Sequence, residues 1–250
     1  MLTNIIIPHG IANLHDASEF MEFVKLREED GRGFAFTVCN YETEDGWKKA
    51  RFGTIGASVA PTVMGLTDGW KTREQLFDEM LGRRVDKFKG NDLTRLGQAS
   101  EPLLRALWAI EHPEYEVYDP TYLLFRNKER PWQTCSLDLI AVERRTGNIY
   151  IGEIKTGIYN AKWNGPYCPD NYFAQVVHEL MTTEFDGAFL LGRIRHQLMG
   201  IDDAAWDKHY FYYRNNPAVK DESKKIIKAE TEFVEDLQKG VLRPTLNLCI

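Results

Sequence analysis

Three residues in the middle of the chain have types and spacing suited to hydrolytic chemistry: Asp138, Glu153 and Lys155. Asp138 interrupts an otherwise apolar run, Leu137 to Val142, while Glu153 and Lys155 close the run Ile149 to Lys155. Alternate residues of a strand share a face. Ile149, Ile151, Glu153 and Lys155 therefore line one side, two apolar residues followed by an acid and a base. Between the runs lies the turn-like Arg144-Arg145-Thr146-Gly147. If the turn pairs Arg144 with Gly147, Asp138 lies directly opposite Glu153. A slip of two instead sets Asp138 opposite Lys155. In either register the three charges converge, as cross-strand neighbours do.

Two carboxylates held together in a partly buried place repel each other and lose hydration. A divalent cation is the natural compensation, and Mg²⁺ takes carboxylate oxygen with water in its remaining positions. A lysine beside that ion can orient or deprotonate an attacking water, or steady charge on a phosphate in the transition state. Glu-x-Lys alone carries little weight, since chance supplies about one in a chain this long. Taken singly, Glu153 and Lys155 read as a solvated edge-strand pair and Asp138 as a turn or cap acid. The joint pattern on two apolar strands points instead to metal-assisted phosphodiester hydrolysis.

The elements that must position these groups form a mixed α/β pattern with a central hairpin, unlike a regular βαβ series. Periodicity predicts helices over Ala17–Arg27, Thr72–Leu81, Ser100–Glu111, Asn171–Thr183 and Asp221–Lys239. Leu103, Leu104, Leu107 and Trp108 give the third its helical spacing, and Pro102 fits best in its first turn, although an earlier start is compatible. Strands are predicted at Phe34–Val38, Tyr122–Phe125, Cys135–Glu143, Asn148–Lys155, Gly187–Leu191 and His209–Tyr213. The last of these, rich in aromatics, reads as a buried strand before a base-stacking platform.

A chain of 250 residues with 43% hydrophobic and 27% charged content fits one sizeable globular α/β domain. No apolar run approaches the roughly 18–20 residues that span a bilayer. The opening Met1–Gly10 lacks the basic flank of a signal peptide, so a cytoplasmic location and no membrane partner are expected. Cys39, Cys135, Cys168 and Cys249 are scattered, with no spacing for zinc or an iron–sulfur centre. His178 has no second histidine at ligand spacing and reads as packed or surface. The net charge of −6 argues mildly against nucleic acid. Bases nonetheless cluster locally, at Lys48-Lys49-Arg51, at Arg83-Arg84 with Lys87 and Lys89, at Arg193 with Arg195, and at Lys224-Lys225 with Lys228. Phosphate binding depends on the contacts made rather than on net charge, although each cluster by itself reads as a solvated face.

Five motifs in order carry a resemblance: Trp47 to Ser58 (WKKARFGTIGAS), Gly97 to Pro102 (GQASEP), Cys135 to Asp138 (CSLD), Gly152 to Lys155 (GEIK) and Tyr172 to Val177 (YFAQVV). Together they resemble the YqaJ-type viral recombinase, or lambda exonuclease, family within the PD-(D/E)xK nucleases, from about Gly46 to Thr183. The resemblance implies a restriction-endonuclease-like core, a mixed central sheet flanked by helices, in one domain over 1–250 with 1–45 as an N-terminal extension. It implies that Asp138, Glu153 and the backbone carbonyl of Ile154 hold the metal, and that Glu101 completes the acidic site. Lys155 becomes the catalytic lysine, and Gln175 holds the water or Lys155. Arg51 and Ser58 match positions that receive a terminal 5′-phosphate. Where the family has Ser-Pro-Asp-Gly, this chain has Ser136-Leu137-Asp138-Leu139, so the Pro and Gly that shape the bend before the hairpin are absent.

The implied activity is Mg²⁺-dependent hydrolysis of DNA, with Mn²⁺ a substitute, by a 5′-to-3′ double-strand exonuclease of phage-type recombination. DNA, a single-strand annealing protein and further copies of the chain, as a trimer, are the implied partners. The rival readings are an endonuclease or nickase of the same fold, and a DNA-binding protein with a degenerate site.

Overall fold

The computed structural model describes residues 11–66, 71–85, 90–164, 167–198 and 201–244. Lys87, Lys89, Cys249 and the opening Met1–Gly10 lie outside them. In chain order the elements are β1 (Leu14–His15), α1 (Ala17–Glu29), β2 (Phe36–Asn40), α2 (Glu44–Arg51), β3 (Ile55–Gly56), α3 (Ala60–Val63), α4 (Arg73–Met80) and α5 (Asp92–Glu111). There follow β4 (Tyr115–Tyr118), β5 (Leu123–Asn127), β6 (Gln133–Cys135), β7 (Leu139–Glu143), β8 (Ile149–Ile158), α6 (Asp170–Thr183), β9 (Gly187–Leu198), β10 (Ile201–Tyr213) and α7 (Pro217–Lys239). No helix among the described residues is long and apolar enough to cross a membrane.

Two sheets share these strands. The larger is mixed, in the order β1-β4-β7-β8-β9-β10, and the smaller runs β2-β5-β6-β3. Strand alternation divides the larger sheet into two apolar faces. Ile140, Val142, Ile149 and Ile151 point towards α6, in a core that also holds Val176, Val177, Leu180, Phe36 and Phe125. Leu139, Ala141 and Tyr150 point the other way, onto Trp108 and Ala109 of α5. From Ala174 to Thr183 every residue of α6 is buried, as expected of a helix enclosed by neighbours on all sides.

The mixed α/β class and the central hairpin match the sequence reading, and two of the expected elements differ from it most. The strand expected over Cys135–Glu143 is two strands in different sheets, with Ser136–Asp138 crossing between them. The crossing needs neither Pro nor Gly, because side chains take over the ladder's bonds. Ser136 Oγ donates to the Leu123 carbonyl at 3.0 Å and accepts from Trp47 Nε1 at 2.8 Å. The Asp138 carbonyl accepts from Arg105 Nε at 2.5 Å. The helix expected from Ser100 begins instead at Asp92, capped by Asn91, whose Oδ1 accepts from the Thr94 N–H at 2.9 Å. Pro102 therefore sits inside α5, where it removes one intrahelical bond.

Residues 11–45 contribute to both sheets and to the core. β1 pairs with β4 in the larger sheet, β2 pairs with β5 in the smaller, and Phe20 of α1 is fully buried.

Candidate active site

The β7–β8 ladder sets Leu139 opposite Gly152, Ile140 opposite Ile151 and Val142 opposite Ile149. This is the first of the two registers above, and it brings Asp138, just before β7, level with Glu153. Gly152 is needed for the approach: a Cβ there would lie 2.7 Å from Leu139 Cδ2. Asp138 Oδ2 accepts the Ile154 N–H at 2.8 Å. The N–H and C=O of one strand residue point to the same side, so the Ile154 carbonyl is directed to the edge where Asp138 stands.

Glu153 is 2% exposed. Its Oε1 lies 2.6 Å from Lys155 Nζ and accepts from Gln175 Nε2 at 2.6 Å. Gln175 Nε2 also donates to Glu179 Oε1 at 3.1 Å. Lys155 Nζ stands 5.2 Å from the centre of the Tyr172 ring. From α5, Glu101 Oε1 accepts from Arg105 Nη2 at 2.8 Å. Asp138, Glu153, Lys155, Gln175 and Glu101 are thus brought to one end of the β7–β8 hairpin by four segments: the crossing before β7, β8 itself, α6 and α5.

The charges there are unbalanced. Burial, then Glu153 and Glu101, push the Asp138 pKa well above the usual carboxylate range, against Lys155 and the Ile154 N–H. Burial, then Glu153 and Asp138, do the same to Glu179. Glu101 is raised by burial more than Arg105 lowers it, with Glu153 and Asp119 adding to the rise. Burial opposes the charge on Lys155, but Glu153 and Asp138 outweigh it and hold its ammonium above the usual range. The Oε2 of Glu179 is buried without a hydrogen-bond partner.

An excess of buried carboxylate oxygen that the local cations do not neutralise fits a hard divalent ion. Among the described residues, no three acid, imidazole or thiol groups stand at metal-holding distance; Lys155 and Gln175 engage Glu153, and the Ile154 N–H engages Asp138. The chemistry of the donor set, carboxylate and carbonyl oxygen, suits the ion.

Arg51, at the end of α2, stacks on Trp47 with its guanidinium carbon 4.3 Å from the ring centre. Among the described residues it has no carboxylate partner. Its Nη2 lies 3.0 Å from where a Cβ on Gly56 would be. Ser58 is exposed in the turn that Gly56 opens, so both residues border the same short loop. Burial lowers the Arg51 pKa, opposed by the Cys135 thiol. Burial raises that thiol, and Glu179, Glu153 and Arg51 all act on it. Arg51 and the acids therefore flank one buried side chain.

Two residues escaped the sequence reading. Arg105 and Glu179 each lie one helical turn after a residue it named, Glu101 and Gln175, a spacing that places side chains on a common face. His178 is packed: Nδ1 lies 2.7 Å from Glu230 Oε1 and Nε2 lies 3.0 Å from the Thr134 carbonyl. Several clustered bases are committed locally, Lys48 to Glu44 at 2.6 Å, Lys224 to Asp221 at 2.9 Å and Lys225 to Glu222 at 3.0 Å.

The family model of the YqaJ-like viral recombinase domain matches residues 46–186. Among solved structures, the chain is similar to an alkaline exonuclease, LHK-Exo, from Laribacter hongkongensis, at 17% identity and a TM-score of 0.55 over 78% of this chain and 95% of that one. The same protein in complex with dAMP matches at 16% identity, with the same TM-score and coverage. A phage-related exonuclease from Haemophilus somnus matches at 13% identity and a TM-score of 0.45, over 75% of this chain and 96% of that one. No curated protein matches the chain. At these identities the first two likenesses establish the shared fold.

Proposed function

The chain belongs to the family of YqaJ-like viral recombinase domains, and from that premise we propose that it is a Mg²⁺-dependent 5′-to-3′ exonuclease on duplex DNA. Deoxyribonuclease chemistry comes with the family; the ion, the polarity and the role of each residue are the proposal. The observation that carries it is the β7–β8 register, Leu139 opposite Gly152, which brings Asp138 level with Glu153, with Lys155 2.6 Å from Glu153.

Asp138, Glu153, the Ile154 carbonyl and Glu101 would hold the ion. Bound there, it supplies a Lewis acid for phosphate oxygen and a water of lowered pKa. Lys155, kept charged by its two acids, donates to the phosphate and steadies negative charge as the phosphorus–oxygen bond to the leaving 3′-oxygen breaks. With the site empty, Glu153 and Asp138 oppose loss of the proton that a basic Lys155 would have to give up. Gln175, donating to both Glu153 and Glu179, fixes the Glu153 carboxylate. Arg51 and Ser58 would receive the terminal 5′-phosphate, for which a guanidinium fork is well suited. A trimer and an annealing partner, on family resemblance, and a single domain and a cytoplasmic setting, on length and composition, complete the reading.

The test is a time course on linear duplex DNA labelled at one 5′ end, beside a covalently closed circle. Mg²⁺ is compared with EDTA, and the parent chain with Glu153→Ala. Metal-dependent release of the 5′ label, with the circle spared and the variant inactive, supports the exonuclease. Cutting of the circle would point to an endonuclease, and salt-sensitive binding without cleavage to a degenerate site.

A further inference from the structure

Beneath the acids lies a cation that the mechanism above leaves unused. Arg105 is 1% exposed, an extreme for arginine, which is seldom fully buried unless it is paired. Its guanidinium reaches three segments. Nε donates to the Asp138 carbonyl at 2.5 Å, and Nη2 donates to Glu101 Oε1 at 2.8 Å. Nη1 stands 2.5 Å from Asp119 Oδ2, a charge contact off the N–H direction. Asp119 is itself held, since its Oδ1 accepts from the Thr121 N–H at 2.9 Å and the Thr121 hydroxyl at 2.6 Å. Asp138 is thereby fixed at two points, its carbonyl by Arg105 and its Oδ2 by the Ile154 N–H. Glu101 is steered by the same guanidinium, from the next turn of α5.

We propose that Arg105 is a positioning residue, whose buried fork sets the Glu101 carboxylate and the Asp138 peptide in the arrangement that receives a divalent cation. The inference rests on the nuclease reading and extends it from the ligands to what holds them. A planar fork suits this place: Nε and Nη2 donate in fixed directions to the Asp138 carbonyl and to Glu101 while Nη1 lies against Asp119 as a charge, whereas a lysine ammonium is a compact point charge. As a fixed cation that cannot ligate a metal, Arg105 also offsets carboxylate repulsion without competing for the ion. Partners that orient a metal's ligands commonly alter affinity by about 10–100-fold when changed.

The test compares the parent chain, Arg105→Lys, Glu101→Gln and the double variant. Mn²⁺ binding is measured without DNA by electron paramagnetic resonance, with a thermal melt and DNA binding in EDTA beside it. Arg105→Lys is expected to weaken Mn²⁺ binding by about 10-fold or more while DNA binding in EDTA is unchanged. In the Glu101→Gln background the same substitution should cost far less, because one partner is already lost. Parental Mn²⁺ affinity in Arg105→Lys, or losses that simply multiply in the double variant, would overturn the assignment and leave the nuclease reading intact. A parent chain that binds no Mn²⁺ would overturn both. If Arg105→Lys does not fold, Asp119→Asn probes the same fork from its far side. Mn²⁺ binding weakened severalfold supports the role, and unchanged binding removes it.

Discussion

At the residue scale the site works by opposing charges that do not cancel. With the site empty, Glu153 and Asp138 outweigh burial and hold the Lys155 ammonium above its usual range, which agrees with the electrostatic role proposed for it. Lys155→Ala should lower kcat by roughly 10²–10⁴-fold, the range for a positioned side chain acting in the transition state. The binding of duplex ends in EDTA should change little. Full activity in single-turnover cleavage would remove Lys155 from the mechanism. The acids make a second prediction. Asp138, Glu101 and Glu179 all have pKa values raised on folding, so the folded chain binds protons that the unfolded chain has released. Stability without metal must then fall as pH rises above the ordinary carboxylate range of about 4. The raised lysine pKa stabilises the fold, and that contribution is lost only as pH rises above about 10, outside the interval in which the acids act. Melting temperatures in EDTA should decline from about pH 5 to pH 8, and the gain on adding Mg²⁺ should grow over the same interval. A metal-free melting curve that rises with pH would contradict the charge imbalance described here.

At the scale of elements, one close approach sets the geometry. Gly152 lets Leu139 lie against β8, and a methyl there would meet three Leu139 side-chain carbons at 2.7, 3.0 and 3.2 Å. Gly152→Ala should cost about 1–3 kcal/mol by overpacking, and so lower the melting temperature by about 2–4 °C per kcal/mol. Because the strain falls beside Glu153, activity should drop further than stability alone explains; a variant with lower stability and parental kcat would separate the two. Much of this hairpin was legible in the sequence, because alternation assigns Glu153 and Lys155 to one face, while the choice between the two registers came only with the structure. The crossing at Ser136–Asp138 was not, since an apolar run reads as one strand whichever sheet each half joins. Its cause lies in partners far along the chain, Trp47, Leu123 and Arg105. α5 was half legible: the leucines mark its second half, while Gly97 and Pro102 mask a helix that starts at Asp92. The short β1, β3 and β4 carry too few residues for a periodic signal, and α2 contains Gly46, although Thr43 caps it and acids precede bases along it. Arg105 and Glu179 needed only the helical spacing from residues already singled out.

At the scale of the molecule, a chain of net charge −6 that acts on a polyanion must confine its attraction to few contacts. The local ion pairs reinforce this. Exposed pairs of this kind add little to stability, yet the acid beside Lys48, Lys224 and Lys225 cancels most of the field that base would project. Arg51 differs, being stacked on Trp47 with no acid beside it among the described residues. If one such cation reads the strand end, the salt dependence of binding should be shallow. The slope of log K against log salt should correspond to only a few phosphates, at about 0.9 per phosphate neutralised. Arg51→Gln should flatten that slope by about one on duplexes with a 5′-phosphate, and leave it unchanged on duplexes with a 5′-hydroxyl. Binding titrations at several salt concentrations, in Ca²⁺ or EDTA to prevent cleavage, decide the matter. A slope near 10, the size seen for broad duplex-binding surfaces, would mean that DNA lies across the basic clusters instead. An equal effect of Arg51→Gln on both kinds of end would make it a general backbone contact and take from it the reading of the terminus.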